Sequence, residues 1–401
     1  MQHRLPPRLA AVLLAGSLLG AACSSDDPDG AATTTTTTAP TAQGLGDEAA
    51  LAAATTYADL ALAAYSDVTT AAEDLQTALE AFVADPTDET LAAAQRAWLD
   101  GRVQYGPAEA FRFYDGPIDH PDDGPEGQIN AWPLDEAYID YVEGDAAAGI
   151  VNDTDGVPEI TADVLVAANE EDGESNISTG WHAIEFLLWG QDLSADGAGA
   201  RPVTDYTTSP TAERRATYLT LLGQLLVDDL ASVRDQWDPE IGSYRDTFLA
   251  DPGQAIAAIF RSMGALSQGE LAGERIAVAY DTKDQEDEHS CFSDNTTTDI
   301  VGNAEGVRMV YLADYPGIDG TSLSEVVAEV EPELDADLRA QLDDNVAQAE
   351  ALEAPFDQLI LGEDDAPGRV ALLALVTSLQ DQGDSVAELA GSLGYSISLA
   401  I

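Results

Sequence analysis

Beyond residue 46, apolar positions recur three and four residues apart over long stretches, the period of one helical face. The pattern predicts helices over 47–83, 90–105, 211–237, 253–281, 334–352 and 368–389. Pro86, Pro210, Pro252, Pro332 and Pro367 stand at or near the predicted starts, where a missing N–H costs nothing. The alternation expected of strands is sparse. The chain therefore reads as all-α. Two Gly/Pro/Asp-rich stretches, 111–134 and 190–210, interrupt the pattern, and the second is the better domain boundary. It gives two helical-bundle-like domains, 47–200 and 201–401. No clear repeat relates them; a diverged duplication would look like this, and so would none. One segment breaks the amphipathic rule. "GWHAIEFLLWGQD" (180–192) is apolar on every side, which predicts a buried helix. His182 and Glu185, three residues apart, share a face. They should point together into protein, where polar groups need partners.

The N-terminus has a different character. Arg4 and Arg8 precede an apolar run, 9–19, too short to span a bilayer, and small residues lead to Cys23 in "LLGAACSS". Residues 1–22 read as a lipoprotein signal, with Cys23 as the lipid attachment point. Gly20 stands where such signals usually carry leucine. Residues 23–46 are rich in Thr, Asp, Pro and Gly and read as a disordered tether, reaching roughly 75 Å when extended. The expected location is extracytoplasmic, as a cell-envelope lipoprotein in the periplasm or on the outer surface. Its only expected membrane contact is the lipid. Loss of Arg4 and Arg8 takes the formal charge from −58 to −60, and Lys283 is the one lysine. Such a surface repels nucleic acid and anionic headgroups and attracts cations diffusely. With Cys23 acylated, Cys291 has no partner for an internal disulfide.

Three histidines follow the signal: His120, His182 and His289. His289 ends "DQEDEH", in which Glu286 lies three residues earlier. A His-x-x-Glu and a Glu-x-x-His from two helices would form a mixed nitrogen–oxygen site suited to iron, manganese or zinc. Candidate metal ligands are thus His182, Glu185, Glu286 and His289. The alternatives are a buried hydrogen-bonded pair at 182/185 and a solvated helix end at 284–289. His120, in a Gly/Pro loop, reads as exposed. Asn152–Gly156 reads as an Asx-rich turn rather than a calcium loop. Arg112, flanked by Phe111 and Phe113, can orient a ligand carboxylate or grip an anionic chelate such as citrate; an interhelical salt bridge is the alternative.

The stretch around His182 resembles the Gly-x-His-x-x-Glu signature of the imelysin family, first described as insulin-cleaving metalloproteinases (peptidase M75). Segments 106–119, 129–142 and 284–300 are similar to members of that family, in the same order. The resemblance implies an all-helical, two-domain extracytoplasmic protein with a role in iron acquisition or another metal-dependent task. The signature falls on Gly180, His182 and Glu185; around it, Arg112, Asp115, Glu288 and Asp294 are expected beside the metal or its ligand. The expected cargo is a divalent or trivalent metal ion or its chelate, iron preferred and zinc second, with a membrane transporter or other surface proteins as partners. Peptidase activity is the first alternative. One helix supplies a single His and Glu, and Phe186 stands where an inverted zinc-hydrolase helix has its second His. A structural surface lipoprotein without metal is the second.

Overall fold

The computed structural model describes residues 44–194 and 197–401. The expected signal, Cys23 and the expected tether up to residue 43 lie outside the described residues. Among the described residues there is no strand, only an isolated bridge between Val142 and Asp145. The all-α expectation is met.

The first two helices run antiparallel in sequence order, α1 (Asp47–Ala84) and α2 (Asp88–Ala108). Thr87 caps α2 in a reciprocal box with Thr90, satisfying first-turn N–H groups. α1 is alanine-rich on its buried face, so α2 and the later helix Ala212–Trp237 can lie close along it. The predicted buried helix is α3 (Gly180–Trp189), and all ten of its residues are buried. α4 (Ala212–Trp237) and α5 (Pro252–Gly264) follow. α5 continues as a π-helical stretch, Ala265–Ala277, where the sequence predicted plain α-helix. Then come α6 (Thr296–Leu312), α7 (Pro332–Glu350) and α8 (Pro367–Ser392). α6 was not among the predicted helices. Short helical turns fill the irregular segments, and Asn152–Gly156 closes as an Asx turn, Gly156 N–H donating to Asp153 Oδ1 at 2.7 Å.

Ala42–Ile401 forms one compact unit, and its main apolar cluster draws on both sides of position 200. Burying Ile184, Phe186, Leu187 and Leu188 contributes roughly 1.5–3 kcal/mol each. Hydrogen bonds then fix α3 in place. Trp98 Nε1 donates to Trp181 O (2.9 Å), and Tyr206 Oη donates to Leu187 O (2.7 Å). Arg201 donates to Phe186 O (3.0 Å) at the C-terminal end of α3, where a cation is favoured. Arg201 is itself held by Asp140, which Arg215 of α4 also binds.

Two glycine positions decide where the polar side chains meet. Gly106 on α2 and Gly302 on α6 touch backbone to backbone; a Cβ on either would stand 3.1–3.2 Å from the other's Cα. The close crossing brings Arg102 and Glu109 of the α2 end against Asp299 and Asn303 of α6. Gly180 has φ +86°, and a Cβ there would lie 2.5 Å from Ile129 O. Only glycine starts α3 in this place.

Candidate metal centre

His182 and His289 come from segments 107 residues apart, and their Nε2 atoms stand 3.3 Å from each other. Both residues are almost fully buried. Each imidazole is held from behind by a carboxylate. His182 Nδ1 lies 2.9 Å from Glu185 Oε2, one helical turn on. His289 Nδ1 lies 2.9 Å from Asp299 Oδ2 on α6. The Trp132 ring packs edge-on against His289, with centroids 5.7 Å apart.

Both carboxylates are themselves committed. Glu185 Oε1 accepts from Ser293 N–H (2.9 Å) and Oγ–H (2.6 Å). Asp299 Oδ2 also accepts from Ser290 Oγ, and Oδ1 accepts from Arg102 Nε (3.1 Å) and Asn295 Nδ2 (3.3 Å). Arg102 is buried among the rings of Trp98, Tyr105 and Trp181, 5.1–5.8 Å from their centroids. Its Nη1 donates to Asn130 Oδ1 (2.6 Å), and Asn130 Nδ2 donates to Glu109 Oε1 (2.7 Å). Glu109 is gripped by Arg275, from the π-helical stretch, and by Asn303. One hydrogen-bonded chain therefore runs from Ser293 through both histidines to Arg275.

Burial drives both imidazoles well below their usual range; the repulsion the two rings would feel if both were protonated adds to this for His182, and the Arg275 charge adds to it for His289. Burial pushes Glu185 up to about 8, against the lowering effect of Ser293. Glu109 goes the other way, to about 2: burial works to raise it, and Arg275 more than offsets that. The neutral chain is self-consistent. A protonated Glu185 donates to His182 Nδ1, His182 Nε2–H donates to His289 Nε2, and His289 Nδ1–H donates to Asp299. When Glu185 is ionised, His182 carries its proton on Nδ1. Both Nε2 lone pairs then face one another, an arrangement that only a cation relieves.

The donor chemistry fits a metal. An imidazole ligand commonly gives its other N–H to a carboxylate, which fixes the tautomer and raises basicity. Two imidazole nitrogens on one tetrahedral ion, with bonds of about 2.0–2.1 Å, stand about 3.3–3.4 Å apart. Among the described residues, no group of three or more His, Cys, Asp or Glu side chains is arranged to hold an ion. The pair thus offers two ligands from protein.

The remaining candidates fall elsewhere. Gln285–Asp287 is a single 3-10 turn and Glu288 is extended, so Glu286 and His289 do not share a helical face. Glu286 is exposed and lines a surface pocket of about 430 Å³ with Asp192 and Asp357. Glu185 sits behind His182, both oxygens occupied. Arg112 is buried, in extended backbone after a 3-10 turn, and pairs with Glu126 (2.8 Å). Asp115 lies outside, 4.0 Å from Arg261. Glu288 is buried; its backbone O accepts from Trp132 Nε1 (2.7 Å), and burial pushes its carboxyl up to about 9. Asp294 is half-buried at φ +58°. His120 is exposed and pairs with Asp123 (2.7 Å). Asp299, Arg102, Asn130, Ser293 and Asn303 were not foreseen. The i,i+4 pair Asp299/Asn303 in a segment of helical character was the available signal.

The comparisons agree with this framework. The profile described as Imelysin (Peptidase M75) matches residues 61–386. Iron-regulated protein A of Synechococcus elongatus is 26% identical over 338 residues, 80% of either chain. A crystal structure assigned as an iron-regulated protein A precursor from Parabacteroides distasonis superposes with a TM-score of 0.67 at 19% identity. The superposition covers 86% of this chain and 96% of that one, and it shows the same fold. The Gly180–Glu185 signature, the all-helical fold and a profile match over most of the chain place the protein in the imelysin family.

Proposed function

We propose that this protein binds a metal ion, iron by preference, between His182 and His289, for uptake or homeostasis in the cell envelope. The observation that carries the reading is the pair of carboxylate-backed imidazoles with Nε2 atoms 3.3 Å apart. Glu185 and Asp299 orient the ligands, and Ser293, Ser290 and Arg102 orient those carboxylates. The name iron-regulated protein A, borne by the relative and assigned to the structural neighbour, supports iron over zinc. The neighbour's assignment as a precursor supports export, and the lipid anchor rests on the sequence leading to Cys23. Among the described residues no helix is long and apolar enough to cross a membrane.

Peptidase activity is the weaker reading. A hydrolytic site presents an ion, a water and a general base to a substrate chain. Here His182 and His289 are 1% and 2% exposed, under Trp132 and α3. The deciding experiment is metal analysis of tag-free protein, with anaerobic Fe(II) and Zn(II) titration. Stoichiometric uptake that is lost in His182→Ala and His289→Ala supports the proposal. Equal uptake by wild type and both variants would refute it, and chelator-sensitive cleavage of a protein substrate would favour the peptidase.

A further inference from the structure

We infer that the polar interior joined to His289 through Arg102 is a binding site for the carboxylate of a small organic anion, so that the metal arrives as a carboxylate chelate. The inference rests on the metal-binding reading above. Among the buried polar atoms of this region without a hydrogen-bond partner are five on arginine and tyrosine: Tyr65 Oη, Tyr105 Oη, Arg112 Nε and Nη1, and Arg102 Nη2. They share one neighbourhood. The Arg102 guanidinium lies 5.1 Å over the Tyr105 ring. The Tyr65 ring is 5.9 Å from that of Phe111, the residue before Arg112. Arg112 Nη1 stands 3.8 Å from Glu109, one turn beyond Tyr105.

The sign of the ligand follows from what is missing. All five atoms carry hydrogens to donate, since burial keeps both phenols protonated. The nearby carboxylates are already engaged. Glu109 accepts from Arg275, Asn130 and Asn303; Asp119 accepts from the backbone N–H groups of Phe113 and Gly116; Glu126 takes Arg112 Nη2. An unsatisfied buried donor costs more than the hydrogen bond it would have made contributes. Five in one place call for an oxygen-rich acceptor. Arginine with tyrosine hydroxyls is a donor set suited to carboxylate. The metal side has the complementary shortage. Two imidazoles leave an ion under-ligated, and among the described residues no third His, Cys, Asp or Glu is arranged to complete it. A polycarboxylate answers both, with one carboxylate on Arg112 and the phenols and the others on the metal.

The test uses the full-length protein and the double variant Tyr65→Phe/Tyr105→Phe, which deletes two unpartnered hydroxyls and nothing else. Citrate alone, ferric citrate, inorganic phosphate and bare Fe(II) are titrated calorimetrically. The expected result is citrate binding to metal-free wild type, weakened about tenfold per hydroxyl in the variant. Ferric citrate should bind more tightly than citrate, and phosphate more weakly. The variant's Tm should stay equal or rise, because neither hydroxyl bonds to protein. Three results overturn the inference: equal citrate affinity in wild type and variant, a Tm that falls as for lost structural hydrogen bonds, or phosphate binding at least as tight as citrate. Bare Fe(II) uptake at the histidines with no citrate binding at millimolar concentration overturns this inference and leaves the metal reading standing. Citrate binding without any metal uptake removes the metal reading and the chelate with it.

Discussion

Asp299→Asn is the sharpest single perturbation of the centre. The substitution keeps the shape and removes the charge. Asp299 accepts from four groups: His289 Nδ1, Ser290 Oγ, Arg102 Nε and Asn295 Nδ2. An amide has one oxygen, so one pair of donors must face an NH2. The larger consequence falls on Arg102, whose side chain is fully buried and whose other hydrogen-bond partner among the described residues is the neutral amide of Asn130. Breaking a buried ion pair by removing one partner costs about 3–5 kcal/mol. A unit of roughly 360 residues unfolds with an entropy of about 0.75 kcal/mol/K, so the expected fall in Tm is about 4–7 °C. Metal affinity should drop about 10–100-fold, the usual effect of removing a carboxylate behind a histidine ligand. Scanning calorimetry of metal-free protein reads the first quantity and a competitive chelator titration the second. A Tm within 1 °C of wild type together with affinity within twofold would show that Asp299 neither anchors Arg102 nor orients His289.

His182→Ala and His289→Ala should each abolish stoichiometric metal uptake while His120→Ala, altering an exposed pair with Asp123, leaves it unchanged; metal analysis after gel filtration separates these outcomes. Stability of the metal-free protein should fall as pH rises from about 7 to 9, above the range in which the neutral buried His182 and His289 give the opposite slope. Glu185 and Glu288 are raised to about 8 and about 9, so over this range the folded state holds protons that the unfolded state has released, and the slope of stability with pH is negative. Urea unfolding at pH 7, 8 and 9 measures it, and Glu185→Gln should flatten the part below pH 8; a midpoint that rises with pH over this window contradicts the assignment. Metal affinity should move oppositely, strengthening up to about pH 8 as the Glu185 proton leaves, with about one proton released per ion, countable by calorimetry in buffers of different ionisation enthalpy.

The helices were legible because their apolar spacing is local information. α1, α2, α4, α7 and α8 begin and end within a few residues of the pattern. The π-helical stretch was not legible, since its apolar spacing resembles that of an α-helix over a few turns. α6 escaped because the crossing Gly106–Gly302 places glycines, Asn303 and Asp299 on its buried face, which dilutes the apolar stripe. The same dilution is what makes the site. His182 and Glu185 stood out because polar residues in "GWHAIEFLLWGQD" violate their surroundings, and His289 because histidines are few. Its spacing from Glu286 misled. Three residues matter only on a helix, and a 3-10 turn followed by extended Glu288 sends Glu286 to the surface. Asp299 became a partner of His289 only through a contact between the 284–295 segment and the helix that follows it.

Charge separates two forms of cargo that the site geometry admits. The chain carries 74 acidic and 16 basic residues, yet Arg102, Arg112 and Arg275 are buried around the candidate centre. The surface field therefore draws bare cations in and holds anions off, while the interior presents unpartnered donors to an anion that has arrived. Both long-range effects are screened over a Debye length of about 8–10 Å near physiological salt, while the buried contacts are screened much less. Salt should consequently act with opposite signs on the two cargoes. Association of Fe(II) slows as sodium chloride is raised from 10 to 300 mM, and association of ferric citrate accelerates. Stopped-flow quenching of the site tryptophan, Trp132, follows both reactions in the same protein. If both rates fall with salt, entry is governed by cation attraction alone, and a negatively charged chelate is not what the arginines are there to receive.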